Sequence, residues 1–356
     1  MRNGGNDFWH ASYFPELDGL RTLSLLLVIG FHIRTTLPIK HYFDGVLGVN
    51  VFFVISGFLI TTLLLRERRA KGSISIRSFY TRRAFRIIPM YAFTLLLYLG
   101  IGNLPSQQVL KEKIIRALPY DLTLRNEYIP ANLEVAFTHS WSLSVEEKFY
   151  VVWPLLLLLL IRRSRYQWAI VPLTFAPLLV SCSGHLSVGY FSIMLGCSVS
   201  LFLEALTQGR ASIRDRICKV PTLVWFVIWA AGYLLSLDGS WRFASAVTTA
   251  LLLPKLLVDD TWLSRALGAR ILQWVGKRTY SMYLLHAFCL SIVEDHLIRP
   301  DSNFRYCEVL GITFVLCLAV ASVTYSLIEV PLIRLGRRIA ERTTDVAWPV
   351  EVLRPT

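Results

Sequence analysis

The chain has 356 residues, 54% of them apolar, 13% aromatic and 17% charged, with a mean hydropathy of +0.51. Soluble domains carry about 25% charged residues, and one soluble core cannot absorb so many apolar runs of roughly 20 residues each, so a water-soluble globular protein is excluded. The formal charge of +13 would suit a nucleic-acid binder, but its distribution gives it another meaning.

Apolar windows predict about ten membrane-spanning helices, near 20–38, 46–65, 87–104, 147–161, 167–183, 187–206, 221–238, 241–257, 272–293 and 308–330. With the first residue placed in the cytoplasm, most of the 37 Lys and Arg fall on the inner side, and the short outer loops at 184–186 and 238–240 carry none. That asymmetry is the positive-inside pattern. It predicts an all-α, multi-pass protein of the bacterial inner (plasma) membrane, spans over about 20–330, both termini cytoplasmic and a short tail at 331–356. Topology accounts for the charge, so no nucleic-acid partner is called for. The first 19 residues hold Asp7, Glu16 and Asp18 but no basic n-region or small-residue cleavage site, so the first span reads as an uncleaved signal anchor. The whole chain, 1–356, is expected to be one membrane-embedded domain.

Ionisable residues inside a bilayer are costly and by default point to function. The first span offers Arg21 and, eleven residues on, His32. Eleven residues turn a helix by about 1100°, leaving the two side chains within roughly 20° of one face and about 16 Å apart along the axis. A cation near the cytoplasm and an imidazole deeper in suit an acyl-CoA donor and a hydroxyl acceptor whose proton neutral His can take. A snorkelling Arg and a structural His would fit the same spacing. Ser56–Phe58 reads as a close helix crossing built on small residues. The basic stretch 66–86 sets Ile76, Phe79, Tyr80 and Phe85 against Arg77, Arg82, Arg83 and Arg86, an amphipathic pattern suited to the headgroup layer. Arg83 and Arg86 are neighbours on a helix face. Their guanidinium forks, with Arg82, suit phosphates, whether of CoA or of lipid.

The outer segment 105–146 reads as a folded or partly helical lid. Where it re-enters the membrane, THSWSLSVEEKFYVVWP (138–154) collects His139, Ser142, Glu146 and Glu147. Ser144 with Glu147 fits a capping box, yet a cap requires neither two adjacent acids nor a His and a Trp. Tyr280, Tyr283 and His286 lie at helical spacing, as packing, an interfacial belt or part of a site. Glu329 sits near the inner end of the last span, where an Arg could pair with it. The six cysteines (Cys182, Cys197, Cys218, Cys289, Cys307, Cys317) show neither CxxC nor metal-ligand spacing; packing is expected, and no metal or disulfide framework.

Taken together, ELDGLRTLSLLLVIGFH (16–32), GVNVFFVISGFLIT (48–61), FYTRRAFRIIPMY (79–91), HSWSLSVEEKFYVVWP (139–154), YSMYLLH (280–286) and IEVPLIRLGRR (328–338) resemble the acyltransferase-3 family of integral membrane acyltransferases. The pieces occur in family order over nearly the entire chain. The resemblance implies about ten transmembrane helices and transfer of an acyl group, with acetyl expected, from cytoplasmic acyl-CoA to a hydroxyl of a surface glycan or glycolipid. No tightly bound cofactor is implied. The family's R-x10-H falls on Arg21 and His32, R-x-x-R on Arg83 and Arg86, and S-L-x-V-E on Ser142 and Glu146. On this reading His32 is the base or acyl relay, Arg21 and Glu146 complete the catalytic group, and Arg82, Arg83, Arg86, His139, Ser142, Glu147 and His286 bind substrates. Glu146, or Glu147, would orient the His or hold the acceptor. Lys148 stands where Gln is usual, and Ala-Phe follows His286 in place of x-Pro. The family's frequent fused hydrolase-like domain is missing, which implies a member that completes transfer alone. A transporter or flippase with a buried proton relay is the rival reading, although no inverted repeat of broken segments is visible; a non-catalytic subunit of an export complex is the third.

Overall fold

The computed structural model describes residues 13–130, 132–162, 166–179, 184–207, 215, 217–239 and 241–342. The first twelve residues, Cys182, the basic stretch 208–214 and the tail from 343 therefore lie outside the described residues. Among the described residues the protein is all-helical.

Helix α1 (Pro15–His32) starts with Pro in its first turn and with Glu16 and Asp18 beside its positive end. Helix α2 (Gly45–Lys71) is capped by Asp44, which accepts from the backbone N–H of Val46 at 2.7 Å and Leu47 at 3.3 Å. It closes with Arg68, Arg69 and Lys71 at its negative end and Gly72 in the left-handed region, φ 73°. Ser75 then caps α3 (Ile76–Gly102). The basic stretch 66–86 is therefore the last turn of one helix and the first turns of the next. The third apolar helix starts eleven residues before the hydropathy window at 87, because Ser75 supplies a cap that hydropathy does not register.

The segment expected on the outer side, the "outer segment", folds as α4 (Gln108–Leu122) with short turns at Asn126–Tyr128 and Thr138–Ser140. Helix α5 (Trp141–Leu160) follows, then α6 (Tyr166–Leu179), α7 (Gly184–Thr207), α8 (Thr222–Ser236) and α9 (Arg242–Val258). Two short helices, α10 (Trp262–Leu267) and α11 (Arg270–Gly276), lead to α12 (Thr279–His296). Helix α13 (Asn303–Thr324) passes through one π-helical turn, Tyr325–Glu329, into α14 (Val330–Arg342). The expected capping box does not form. Helix α5 begins at Trp141, and the Ser144 hydroxyl instead accepts from the Asn126 backbone N–H (3.2 Å) and donates to the Asn126 side chain (3.3 Å), tying the outer segment to α5.

Four helical stretches, Pro38–Lys71, Ile76–Gly102, Val188–Ala205 and Asn303–Arg342, are long and apolar enough to cross a membrane. With the relatives described below, they make this a membrane protein. Helices α1 and α5 are 18 and 20 residues long, but Arg21, Glu146 and their neighbours dilute their apolar character. Helices α2 and α7 cross with their backbones nearly touching: a Cβ on Gly57 would lie 1.9 Å from the Ile193 carbonyl oxygen, and one on Gly196 would lie 2.0 Å from that of Val54. The small-residue crossing expected at Ser56–Phe58 is this contact.

Candidate active site

A cavity of about 240 Å³ lies between α1, α2, α3, α5 and α12, and the residues along it divide into two ends and a middle. At one end Arg21, Arg66, Arg83, Arg86 and Lys277 all line it. Arg21 is held by Asp18 at 3.0 Å, and α1 lies close against the end of α11 because a Cβ on Gly276 would stand 2.3 Å from that of Asp18. Arg83 lies over the Tyr150 ring at 5.4 Å and Arg66 over the Phe14 ring at 4.8 Å. Arg82 does not line the cavity. One residue turns a helix by about 100°, so Arg82 points elsewhere and pairs with the buried Glu67 at 3.4 Å.

The middle carries two acids. Glu146 accepts from Ser56 at 2.6 Å and from Tyr150 at 3.1 Å. Each of its oxygens thus accepts one hydrogen bond, neither of them from a histidine. Glu147, a residue further on, does not line the cavity and keeps one buried oxygen without a partner. Glu329 lies at the end of the π-helical turn, accepts a hydrogen bond from Ser281 and also lines the cavity. π-turns rotate the following side chains out of the α-helical phase and often mark functional sites.

At the other end Tyr283 donates to the His139 backbone carbonyl at 2.6 Å, leaving the Ser142 hydroxyl to donate to Tyr283 at 2.5 Å. Directly behind this pair, three imidazoles meet. His286 is 4.8 Å from His32 and 4.6 Å from His139 between ring centroids, and His32 and His139 are 6.2 Å apart. The ring nitrogen facing a carbonyl must carry a proton, because a carbonyl only accepts. His32 therefore donates from Nδ1 to the Val28 oxygen (2.7 Å) and His286 from Nδ1 to the Tyr283 oxygen (2.5 Å). Both Nε2 atoms are left as acceptors. His139 faces the Leu284 oxygen through Nε2 at 3.4 Å. The group is fixed by an outer clasp: Arg34, two residues past His32, donates from its backbone N–H (2.7 Å) and its Nε (2.6 Å) to Glu294 on the helix that carries His286. Among the described residues no three His, Cys, Asp or Glu side chains are placed to hold a metal ion.

The structure thus gathers Arg21, Arg83, Arg86, Ser142 and Glu146 around one cavity and His32, His139 and His286 just beyond Tyr283, while Arg82 and Glu147 stand aside. Arg66 and Lys277 join the cationic end without having been singled out in the sequence, where they read as ordinary inner-side charges. Tyr150 was hidden by the aromatic richness of its helix.

Residues 14–328 match a family model described as an acyltransferase domain. The chain is 28% identical over 352 residues to a putative O-acetyltransferase of Staphylococcus aureus (strain COL), covering 90% of this chain and 57% of that protein. It is 27% identical over 376 residues to the putative peptidoglycan O-acetyltransferase YrhL of Bacillus subtilis (strain 168), covering 94% and 57%. It is 23% identical over 362 residues to the peptidoglycan O-acetyltransferase OatA of Listeria monocytogenes, covering 92% and 57%. The chain thus spans 57% of the length of each of these relatives. No solved structure matches.

Proposed function

Because this chain belongs to the acyltransferase-3 family, we propose that it is a multi-pass inner-membrane O-acyltransferase that carries an acetyl group from cytoplasmic acetyl-CoA to a glycan or glycolipid hydroxyl. The observation that carries this reading is one cavity with a cluster of cations at one end and, behind Tyr283 at the other, an imidazole cluster. The names of the relatives support the acyl group and a carbohydrate acceptor. About ten spans with both termini in the cytoplasm would put the cationic end on the cytoplasmic side, in keeping with the positive-inside pattern.

On this reading Arg21, Arg83 and Arg86, with Arg66 and Lys277, hold the phosphates of the donor. Guanidinium–phosphate bonds are charge-assisted, and the low dielectric around them strengthens them. The thioester reaches toward Tyr283 and Ser142. His32, its Nδ1–H committed to Val28, presents Nε2 to the acceptor hydroxyl and takes its proton. The oxygen attacks the thioester carbonyl, a C–O bond forms, the C–S bond breaks, and the proton returns to the leaving thiolate. Ser142, hydrogen-bonded to Tyr283, borders the reacting carbonyl. Glu146, held by Ser56 and Tyr150, sets charge balance beside Arg83 or contacts the substrate.

The test is mass spectrometry of surface glycans from wild-type, deletion and H32A cells. An acetyl increment lost in both the deletion and H32A, with H32A inserting normally, is the expected result. An increment that persists in H32A defeats the assignment of the base, and one unaffected by deletion defeats glycan acetylation as the function.

A further inference from the structure

His286 has no assigned part in the chemistry above, yet its surroundings are unusual. It is 0% exposed. Its Nδ1 is committed to the Tyr283 carbonyl, and its Nε2 is buried with no hydrogen-bond partner. A buried acceptor left unmade is a standing cost to the fold, and native proteins rarely keep one without a reason. Two imidazoles adjoin it, His139 at 4.6 Å and His32 at 4.8 Å between centroids, both edge-to-face. In the resting tautomer His32 has nothing to offer, because its only N–H is held by Val28. Once Nε2 of His32 takes a proton from the acceptor hydroxyl, the ring becomes a cation beside a buried lone pair that has no other partner.

We propose that His286 is a positioning residue for the base: the uncommitted Nε2 lone pair of its neutral ring stabilises the charge that His32 carries between taking the hydroxyl proton and passing it to the thiolate. This rests on the acyl-transfer reading and adds to it. The attraction exists only while His32 is an imidazolium, so it stabilises the transition state and not the ground state, the condition for raising kcat. The atoms balance without a further reactant: the proton passes from the hydroxyl to Nε2 of His32 and from there to sulfur. His139, 4.6 Å from His286 and itself 3% exposed, packs against the same imidazole. The Arg34–Glu294 clasp holds the two helices so that the histidines keep their spacing.

Purified protein in lipid nanodiscs, with acetyl-CoA as donor and a chito-oligosaccharide as acceptor, reports turnover as free thiol. H286N keeps a donor for the Tyr283 carbonyl but offers nothing at the Nε2 position; H286Q places an acceptor oxygen there; H286M removes both. The expected result is a fall in kcat on the order of 10- to 100-fold for H286N and H286M, the size expected when a buried charge loses a nearby dipole at low dielectric. The KM for acetyl-CoA and the melting temperature stay near wild type, and H286Q recovers most of the rate. Equal rates in H286N and H286Q, whether both normal or both low, overturn the proposal, as does a rise in KM that accounts for the whole loss. H32A separates the two layers. Turnover abolished in H32A but normal in H286N defeats only this inference, turnover that persists in H32A defeats the assignment of His32 as base and this inference with it, and no turnover in the wild-type protein defeats the acyl-transfer reading.

Discussion

Lys255 and His286 are buried to nearly the same extent, 1% and 0% exposed, and their surroundings could hardly differ more. The Lys255 ammonium donates to the carbonyls of Ile217 (3.2 Å), Cys218 (2.9 Å) and Val220 (2.9 Å) and pairs with Asp259 at 2.7 Å. Every proton has an acceptor, and the lysine fastens the end of one helical segment to α9. His286 keeps a ring nitrogen with nothing to bind. Burial alone therefore does not tell these two residues apart; their partners do. The corner around Lys255 is complete as it stands, whereas the histidine cluster keeps an open acceptor.

That contrast can be broken most forcefully at Lys255. K255M strips three backbone carbonyls and Asp259 of their donor and should destabilise the protein by about 3 kcal/mol, read as a lower melting temperature in detergent. The folded fraction should keep wild-type kcat, and a normal melting temperature would sink the view of this corner as structural. At the cationic end of the cavity, the double variant R66Q/K277Q should raise the KM for acetyl-CoA roughly 10-fold with kcat within about twofold, the pattern of lost uniform binding. A loss confined to kcat would instead move these residues toward the chemistry.

The smallest effect concerns the outer segment. Asp121, on α4, is 1% exposed and accepts from the Asn126 side-chain amide. Burial pushes its carboxyl up to about 6, with Asn126 pulling the other way. The acid is harder to ionise in the fold than in the unfolded chain, so between about 3.8 and about 6 the unfolded state holds fewer protons and stability falls as pH rises. D121N should flatten that slope and leave the melting temperature at neutral pH unchanged or slightly higher. A slope identical to wild type would show that Asp121 does not produce it.

Much of the geometry was legible in the chain. The eleven-residue spacing puts Arg21 and His32 on one helix, the three-residue spacing puts Arg83 and Arg86 on one face, and the SGF sequence marks a helix crossing; helical periodicity alone carries these. What periodicity cannot carry is convergence. His32, His139 and His286 come from α1, the end of the outer segment and α12, and nothing local announces that they meet. Arg82 was indistinguishable from Arg83 until the rotation of α3 gave one to Glu67 and the other to the cavity. Ser144 looked like a cap because S-x-x-E is a local pattern, but the helix had already begun at Trp141 and its hydroxyl serves a long-range bond. Arg66 and Lys277 were obscured because the inner-side excess of positive charge already explained them.

The crossing of α2 and α7 has a mechanical consequence. Where a backbone carbonyl occupies the place of a missing methyl group, neither helix can slide or roll on the other without collision. The pair forms a stator running through the membrane domain, with Ser56 mounted next to the point of contact. Any opening that admits a substrate must therefore come from parts that slide against this fixed beam, such as the outer segment or the helices carrying the histidines. Cross-linking α2 to α7 should cost the protein little, whereas cross-linking α1 to α5 should stall it.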